Sequence, residues 1–336
     1  MVGLRGLGTL ILVAVLSGCG SSSGGGAGTG GTGGSDAPLQ DEYILSDEKL
    51  VPESGAFDSM SRSFYVGSES QGNITRVEAD GTESIFMTPP AGQTWRTLGI
   101  AIDEVSRRLW VCAQRTDVAA QEIWVFDLET RNRDLSFVLA DAQADSACND
   151  VALDGNGLAY ISDSENPRVY RADAEAEMLT VWADDPLLSP TGGGIFGGNG
   201  IAVTEDDQAL IVSKTSSGAP PRLVRLALDD PSDVSEIVLA PALEGFADGM
   251  TFFEGDLYIA MVGAGNIVRL RSDDAWATAT VVIAPADGGG RVPGTSTVRP
   301  AEGRLYAIYS DITKALTGLT PVPPFRIYEV DLESFE

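Results

Sequence analysis

Asn149 to Asp163 reads NDVALDGNGLAYISD: a polar pair, a short apolar run, a polar turn, and a second run of apolar and aromatic residues. Asp154-Gly155-Asn156-Gly157 is hairpin chemistry, since Gly and Asn tolerate the positive φ of tight connections between strands. The segment is therefore two antiparallel strands, and it recurs. Further copies are ESGAFDSMSRSFYVGS from Glu53, LGIAIDEVSRRLWVCA from Leu98, NGIAVTEDDQALIVS from Asn199, DGMTFFEGDLYIAM from Asp248 and STVRPAEGRLYAIY from Ser296. Each can be aligned on the residue that ends its first strand: Phe57, Ile102, Leu153, Val203, Phe252 or Pro300. The residues four earlier then form one column, Glu53, Leu98, Asn149, Asn199, Asp248 and Ser296, at intervals of 45, 51, 50, 49 and 48. A repeat of roughly 40 to 50 residues carrying about four strands marks a β-propeller blade.

Third strands follow at 123–128, 168–173, 222–228, 266–271 and 326–332, and fourth strands in LSFVLA, LTVWAD, SEIVLA and TVVIA. No apolar stripe of helical period is present beyond residue 50. The expectation is an all-β chain whose residues 39–336 form a six-bladed β-propeller with four-stranded antiparallel blades. The sixth unit shows no fourth strand after RIYEVDL, and Glu42-Tyr43-Ile44-Leu45 is expected to supply it, leaving no open edge between the first and last blades.

The 336 residues are 43 % hydrophobic, enough for a substantial core, and carry a net charge of -27, which repels nucleic acid. Residues 1–19 have one Arg, an apolar run from Leu7 to Leu16 and then Ser17-Gly18-Cys19. That is a secretory leader, too short to span a membrane. Its end resembles the lipobox of bacterial lipoproteins, which implies that Cys19 is lipidated. Residues 20–38 are a Gly/Ser/Thr tether with nothing to bury. Gly20 after the cysteine implies the outer membrane of a bacterial envelope, the lipid being the only membrane contact, with periplasmic and surface faces both open.

In a propeller the first strand of each blade lines the central channel, so the column residues converge on the axis. Four of the six are Glu53, Asn149, Asn199 and Asp248, two carboxylates and two amides without nitrogen or sulfur donors. Such a set suits a hard divalent cation, calcium before magnesium or manganese. The chain has no His, which argues against a typical zinc, copper or iron site.

These motifs resemble those of the SMP-30/gluconolactonase/LRE-like propellers over roughly residues 42 to 332. Pro52-Glu53 with Asp58 is similar to the first-blade glutamate motif. Asn149-Asp150 is similar to the "ND-G" motif, with Val151 in place of Gly. Asn199-Gly200 and Asp248-Gly249-Met250 match "NG" and "DGM". The resemblance implies that Glu53, Asn149, Asn199 and Asp248 ligate the metal, and that the reaction is hydrolysis of a lactone or a related ester or phosphoester. It also gives Asp248 the role of base or nucleophile. Asp150 would then orient Asn149 or a water.

Where gluconolactonase-like members carry a substrate-clamping Arg, this chain has Ala147, which speaks against a sugar-acid lactone. Arg96, two residues before its own column position, is a candidate replacement. The ends of the second strands offer Glu69, Gln114, Asp163 and Lys214 as pocket walls. The connections 186–198, 286–295 and 313–324 are candidate caps. Cys112 and Cys148 fall at the same end of adjacent blades, as either a disulfide or two buried thiols. A monomer is expected. Beside the hydrolase stands a second reading, a non-catalytic propeller braced by its ion that serves as a binding scaffold in the envelope.

Overall fold

The computed structural model describes residues 37–142, 145–189, 197–216, 219–283 and 294–336. They form six sheets. Blade 1 runs Gly55–Asp58, Ser63–Gly67, Ile74–Glu78 and Glu83–Met87, and blade 2 runs Trp95–Asp103, Arg108–Arg115, Ala120–Asp127 and Arg133–Val138. Blade 3 comprises Cys148–Leu153, Ala159–Asp163, Arg168–Asp173 and Met178–Asp184, and blade 4 comprises Gly198–Val203, Ala209–Ser216, Ala219–Ala227 and Val234–Glu236. Blade 5 holds Phe246–Phe253, Asp256–Val262, Asn266–Arg271 and Thr278–Ile283. Blade 6 holds Thr295–Ala301, Arg304–Tyr309 and Arg326–Glu329, with Glu42–Ile44 paired antiparallel outside Arg326–Glu329. Each first strand neighbours the next, and Gly55–Asp58 packs on Thr295–Ala301 to close the cycle. The chain is a six-bladed propeller.

One boundary differs from expectation. SEIVLA as a whole is expected in blade 4, but only Val234–Glu236 pairs there. Val238–Ala240 crosses to blade 5 as a fifth strand, parallel to Thr278–Ile283.

The strands are apolar on both faces because each blade is covered on both sides. Alternate residues of Arg108–Arg115 show this. Leu109, Val111 and Ala113 face blade 1 with Tyr65, Ile74 and Phe86, while Trp110 and Cys112 face blade 3 with Val151, Ile161 and Tyr170. Six such clusters fill the six interfaces between blades. Cys112 and Cys148 lie in the one between blades 2 and 3 as buried free thiols, not as a disulfide. Asp58 is also structural. Its buried carboxylate accepts from both guanidinium nitrogens of Arg107, at 2.5 and 2.7 Å, tying blade 1 to blade 2.

Cys19, the leader and the tether up to residue 36 lie outside the described residues. Among the described residues no helix is long and apolar enough to cross a membrane.

Candidate functional site

The column positions coincide with an irregularity of the sheets. Pairing between first and second strands shifts register between Thr97 and Ile100, Cys148 and Val151, Gly198 and Ile201, Ala247 and Met250, and Thr295 and Thr297. Five of the six column residues thus sit in bulges, which re-aim a side chain out of the sheet. The bulges nest against one another. A Cβ on Gly99 would lie 2.3 Å from the Asp150 Cα, and one on Gly200 would lie 2.1 Å from the Asp248 carbonyl oxygen. The glycines after Leu98, Asn199 and Asp248 are therefore required by the close approach of the next blade.

Hydroxyls and amides from one blade fasten the bulge of the next. Ser162 Oγ donates to the Asn199 carbonyl at 2.6 Å, Thr215 Oγ1 donates to the Ala247 carbonyl at 2.9 Å, and the Gln114 amide donates to the Cys148 carbonyl. Asn199 Nδ2 donates to the same Ala247 carbonyl at 3.0 Å, and the nearby Asn199 side chain works against the rise of the Asp248 carboxyl. With its NH2 so engaged, Asn199 keeps its oxygen for other work.

Glu53, Asn149, Asn199 and Asp248 line the floor of one cavity of about 420 Å³. Asn149, Asn199 and Asp248 are buried and Glu53 is half-buried. Burial, then repulsion from Asp150, pushes Asp248 up to about 8. Burial and the charges of Asp248 and Asp150 hold Glu53 well above the usual carboxylate range. Asp150 itself is raised by burial, opposed by Arg299 and by backbone donors.

Arg299, three residues after Ser296, is the feature that motif reading missed. The six residues three after the column are Ala56, Ala101, Ala152, Ala202, Thr251 and Arg299, and all of them line a second cavity of about 330 Å³. The Arg299 guanidinium reaches across this ring of small residues. It donates to the carbonyls of Gly55 at 2.6 Å and Met250 at 3.2 Å and to Ser54 Oγ at 3.1 Å, and it stands 3.6 Å from Asp150 Oδ1. One cation thus faces three carboxylates, Glu53, Asp150 and Asp248. When all three are ionised the formal sum is two negative charges, and the donors are all oxygen. This donor set fits a hard divalent cation. Among the described residues no group of three or more His, Cys, Asp or Glu side chains is arranged to hold a metal, so any ion must draw on the two amides.

The walls differ from expectation at two points. Glu69, Gln114 and Arg96 line the cavity, but Asp163 and Lys214 do not. Asp163 accepts from the backbone of Ala147, Glu165 and Asn166, which orders the turn after the second strand. Lys214 donates to the Leu187 carbonyl at 2.8 Å. Arg96 is itself held, donating to Gln114 Oε1 at 2.7 Å and lying 3.4 Å from Glu69 Oε1. Of the candidate caps, 190–196 of the first and 286–293 of the second lie outside the described residues, whereas Ala315 of the third reaches the wall from the short helix Ile312–Leu316, together with Ile312 just before that connection. Phe246 and Val262 complete that side. Phe246, like Arg96, stands two residues before the column, and reading that second column would have found it.

The family model described as "SMP-30/Gluconolactonase/LRE-like region" matches residues 51–286. The chain belongs to the SMP-30/gluconolactonase/LRE-like family. No curated protein sequence matches it. Among solved structures it is similar to the allergen Mala s 1 of Malassezia sympodialis, at 17 % identity over 87 % of this chain and 96 % of that one, with a TM-score of 0.69. It is similar to XC5397, a gluconolactonase of Xanthomonas campestris, at 18 % identity over 88 % and 91 % of the chains, with a TM-score of 0.56. A third likeness is to an aldose sugar dehydrogenase of Streptomyces coelicolor, at 16 % identity over 87 % and 99 %, with a TM-score of 0.55. An allergen, a lactonase and a dehydrogenase share the fold, so function has to be argued from the site.

Proposed function

We propose that this SMP-30/gluconolactonase/LRE-like propeller is a hydrolase of the lactonase or esterase type that depends on one divalent cation, calcium ahead of magnesium or manganese. Glu53, Asn149, Asn199 and Asp248 would hold the ion. The observation that supports this most is that four blades bring two carboxylates and two amides to one cavity floor, where both carboxylates are costly to ionise. A cation bound there would polarise the carbonyl of the ester and draw both carboxylates back to their charged forms.

Asp248 then acts as base or nucleophile. As base it takes a proton from a water whose oxygen adds to the carbonyl carbon. The ring C–O bond breaks and the departing alkoxide takes that proton back from Asp248, giving the hydroxy acid and the free carboxylate. Asn199 is fixed through its NH2 on the Ala247 carbonyl, next to Asp248 in the chain, and Glu53 serves mainly as a ligand. Asp150, locked by the Val151 amide at 2.9 Å and by Arg299, holds the bulge that presents Asn149.

Calorimetric titration of the purified chain with calcium is expected to show one site, weakened by Asp248→Asn. A lactone and aryl-ester panel is expected to show turnover that chelator and Asp248→Asn both abolish. Uptake of no divalent ion would overturn the metal reading. Ion uptake without turnover would leave a binding scaffold braced by its ion. We also propose that the mature protein is a monomer anchored through a lipid on Cys19, with the outer membrane as its address. The mass of the mature N-terminus, fractionation of the envelope and sedimentation check these points.

A further inference from the structure

The cavity has two unlike sides, and which blade supplies each follows from the residues two before the column: Val51, Arg96, Ala147, Gly197, Phe246 and Gly294. Only Arg96 and Phe246 are both large and in the cavity wall. They belong to blades 2 and 5, three apart in a ring of six, and so face each other across the mouth. Arg96 is held by Glu69 and Gln114, and Leu98 of its own blade and Ala147, Ser164 and Glu165 of blade 3 continue that wall. Around Phe246 stand Val262, Ile312 and Ala315.

The apolar side is built into the fold. Val262 and Ile312 belong to the apolar cluster between blades 6 and 1, with Ala315 packed against it. The segment before Ile312 can approach the start of the sixth blade because residue 294 is glycine, at a φ of 92° and where a Cβ would meet the Asp311 Cα at 2.5 Å. Asp311 then pins the segment, accepting from Lys314 Nζ at 2.7 Å and from the Val322 amide at 3.0 Å. Phe246 leaves 37 % of its surface exposed, a large open apolar surface for an aromatic side chain beside buried polar groups.

Taking the hydrolase reading as its basis, we infer that the substrate is a neutral lactone carrying an alkyl substituent, its ring over the four oxygen donors and its alkyl group along Phe246, Val262, Ile312 and Ala315. A polyhydroxylated sugar lactone would set hydroxyls against this side without partners, and each hydroxyl taken from water without a new partner weakens binding. A ligand with its own carboxylate fits no better. The charge of Arg96 is already offset by Glu69.

The test uses the full-length chain with saturating calcium and γ-lactones from butyrolactone to dodecalactone, with glucono-δ-lactone alongside. kcat/KM is expected to rise up to roughly fourfold per added methylene until the apolar side is covered. Phe246→Ser, and separately Ala315→Gln, should flatten that series, lowering the ratio of long-chain to short-chain kcat/KM at least tenfold. Calorimetry with γ-alkyl lactams, which do not turn over, reads binding without chemistry. Turnover that is flat with chain length, or fastest on gluconolactone, overturns the alkyl assignment and leaves the hydrolase reading standing. Lactam affinity that grows with chain length, with no lactone turned over, keeps the ligand class and overturns the hydrolase reading. Absence of both turnover and lactam binding overturns the two together.

Discussion

Replacing Arg299 with Met keeps most of the side-chain volume and removes the one guanidinium that faces the carboxylates of the channel. At 3.6 Å from Asp150, with both side chains nearly buried, the pair interacts by about 4–5 kcal/mol at an effective dielectric constant of about 20. Breaking a buried pair by deleting one partner costs about 3–5 kcal/mol, because the other charge is left uncompensated. The carbonyls of Gly55 and Met250 lose a donor as well. Urea unfolding of the chelator-treated protein at neutral pH is therefore expected to show a loss of roughly 3–5 kcal/mol with unchanged m-value. Asp150→Asn placed on top of Arg299→Met removes the orphaned charge, and the double variant should recover about 2 kcal/mol or more of that loss. Two outcomes would refute the reasoning: a loss under about 1 kcal/mol for Arg299→Met, or single losses that simply add in the double variant.

Asp248 and Glu53 have raised pKa values in the folded protein, so their contribution to stability is fully present below the ordinary carboxylate pKa and is lost as pH rises, for Asp248 through about 8. The urea midpoint of metal-free protein should fall between pH 5 and about 8, and saturating calcium should remove the fall; a flat metal-free profile would contradict the burial argument. Asp58 behaves oppositely. Burial alone would raise it, but bonds from Arg107 and Ser61 hold it below the usual range, so its stabilisation is present above the ordinary carboxylate pKa and lost as pH falls through the lowered value. Arg107→Met should cost roughly 3–5 kcal/mol at pH 7 by urea unfolding, and less in acid. Gly200→Ala puts a Cβ 2.1 Å from the Asp248 carbonyl oxygen, and is expected to cost about 1–3 kcal/mol and weaken calcium binding in the same calorimetric titration.

The architecture was legible because each blade repeats one hairpin, and a repeat states its own alignment. Boundaries were less legible where pairing partners rather than propensity decide them. Val238–Ala240 has the composition of a fourth strand, yet its hydrogen bonds go to blade 5. Glu53, Asn149, Asn199 and Asp248 were legible as a column because all six hairpins align on the residue that ends the first strand, and the four do line one cavity. Asp163 and Lys214 were misread as wall residues, since the end of a second strand supplies turn-ordering groups as readily as pocket groups. The apolar side was hidden for another reason. Ile312 and Ala315 come from a connection outside the repeat, and no alignment of blades reaches them.

The most informative residues stood in columns beside the one that was read. One residue after the column the chain has Ser54, Gly99, Asp150, Gly200, Gly249 and Thr297, and three after it Ala56, Ala101, Ala152, Ala202, Thr251 and Arg299. Both sets are small because neighbouring blades press on one and the narrow channel limits the other. Each has one large charged exception, and the exceptions have opposite sign. They also come from blades 3 and 6, opposite each other in the ring, so a side chain as long as Arg has to cross the axis to reach its partner. Read singly, Arg299 between Val298 and Pro300 is an ordinary solvated strand charge, and Asp150 is a turn residue. Read as exceptions in two columns that sterics keep small, they select each other, because a charge enters so narrow a space only with its counter-charge already in place.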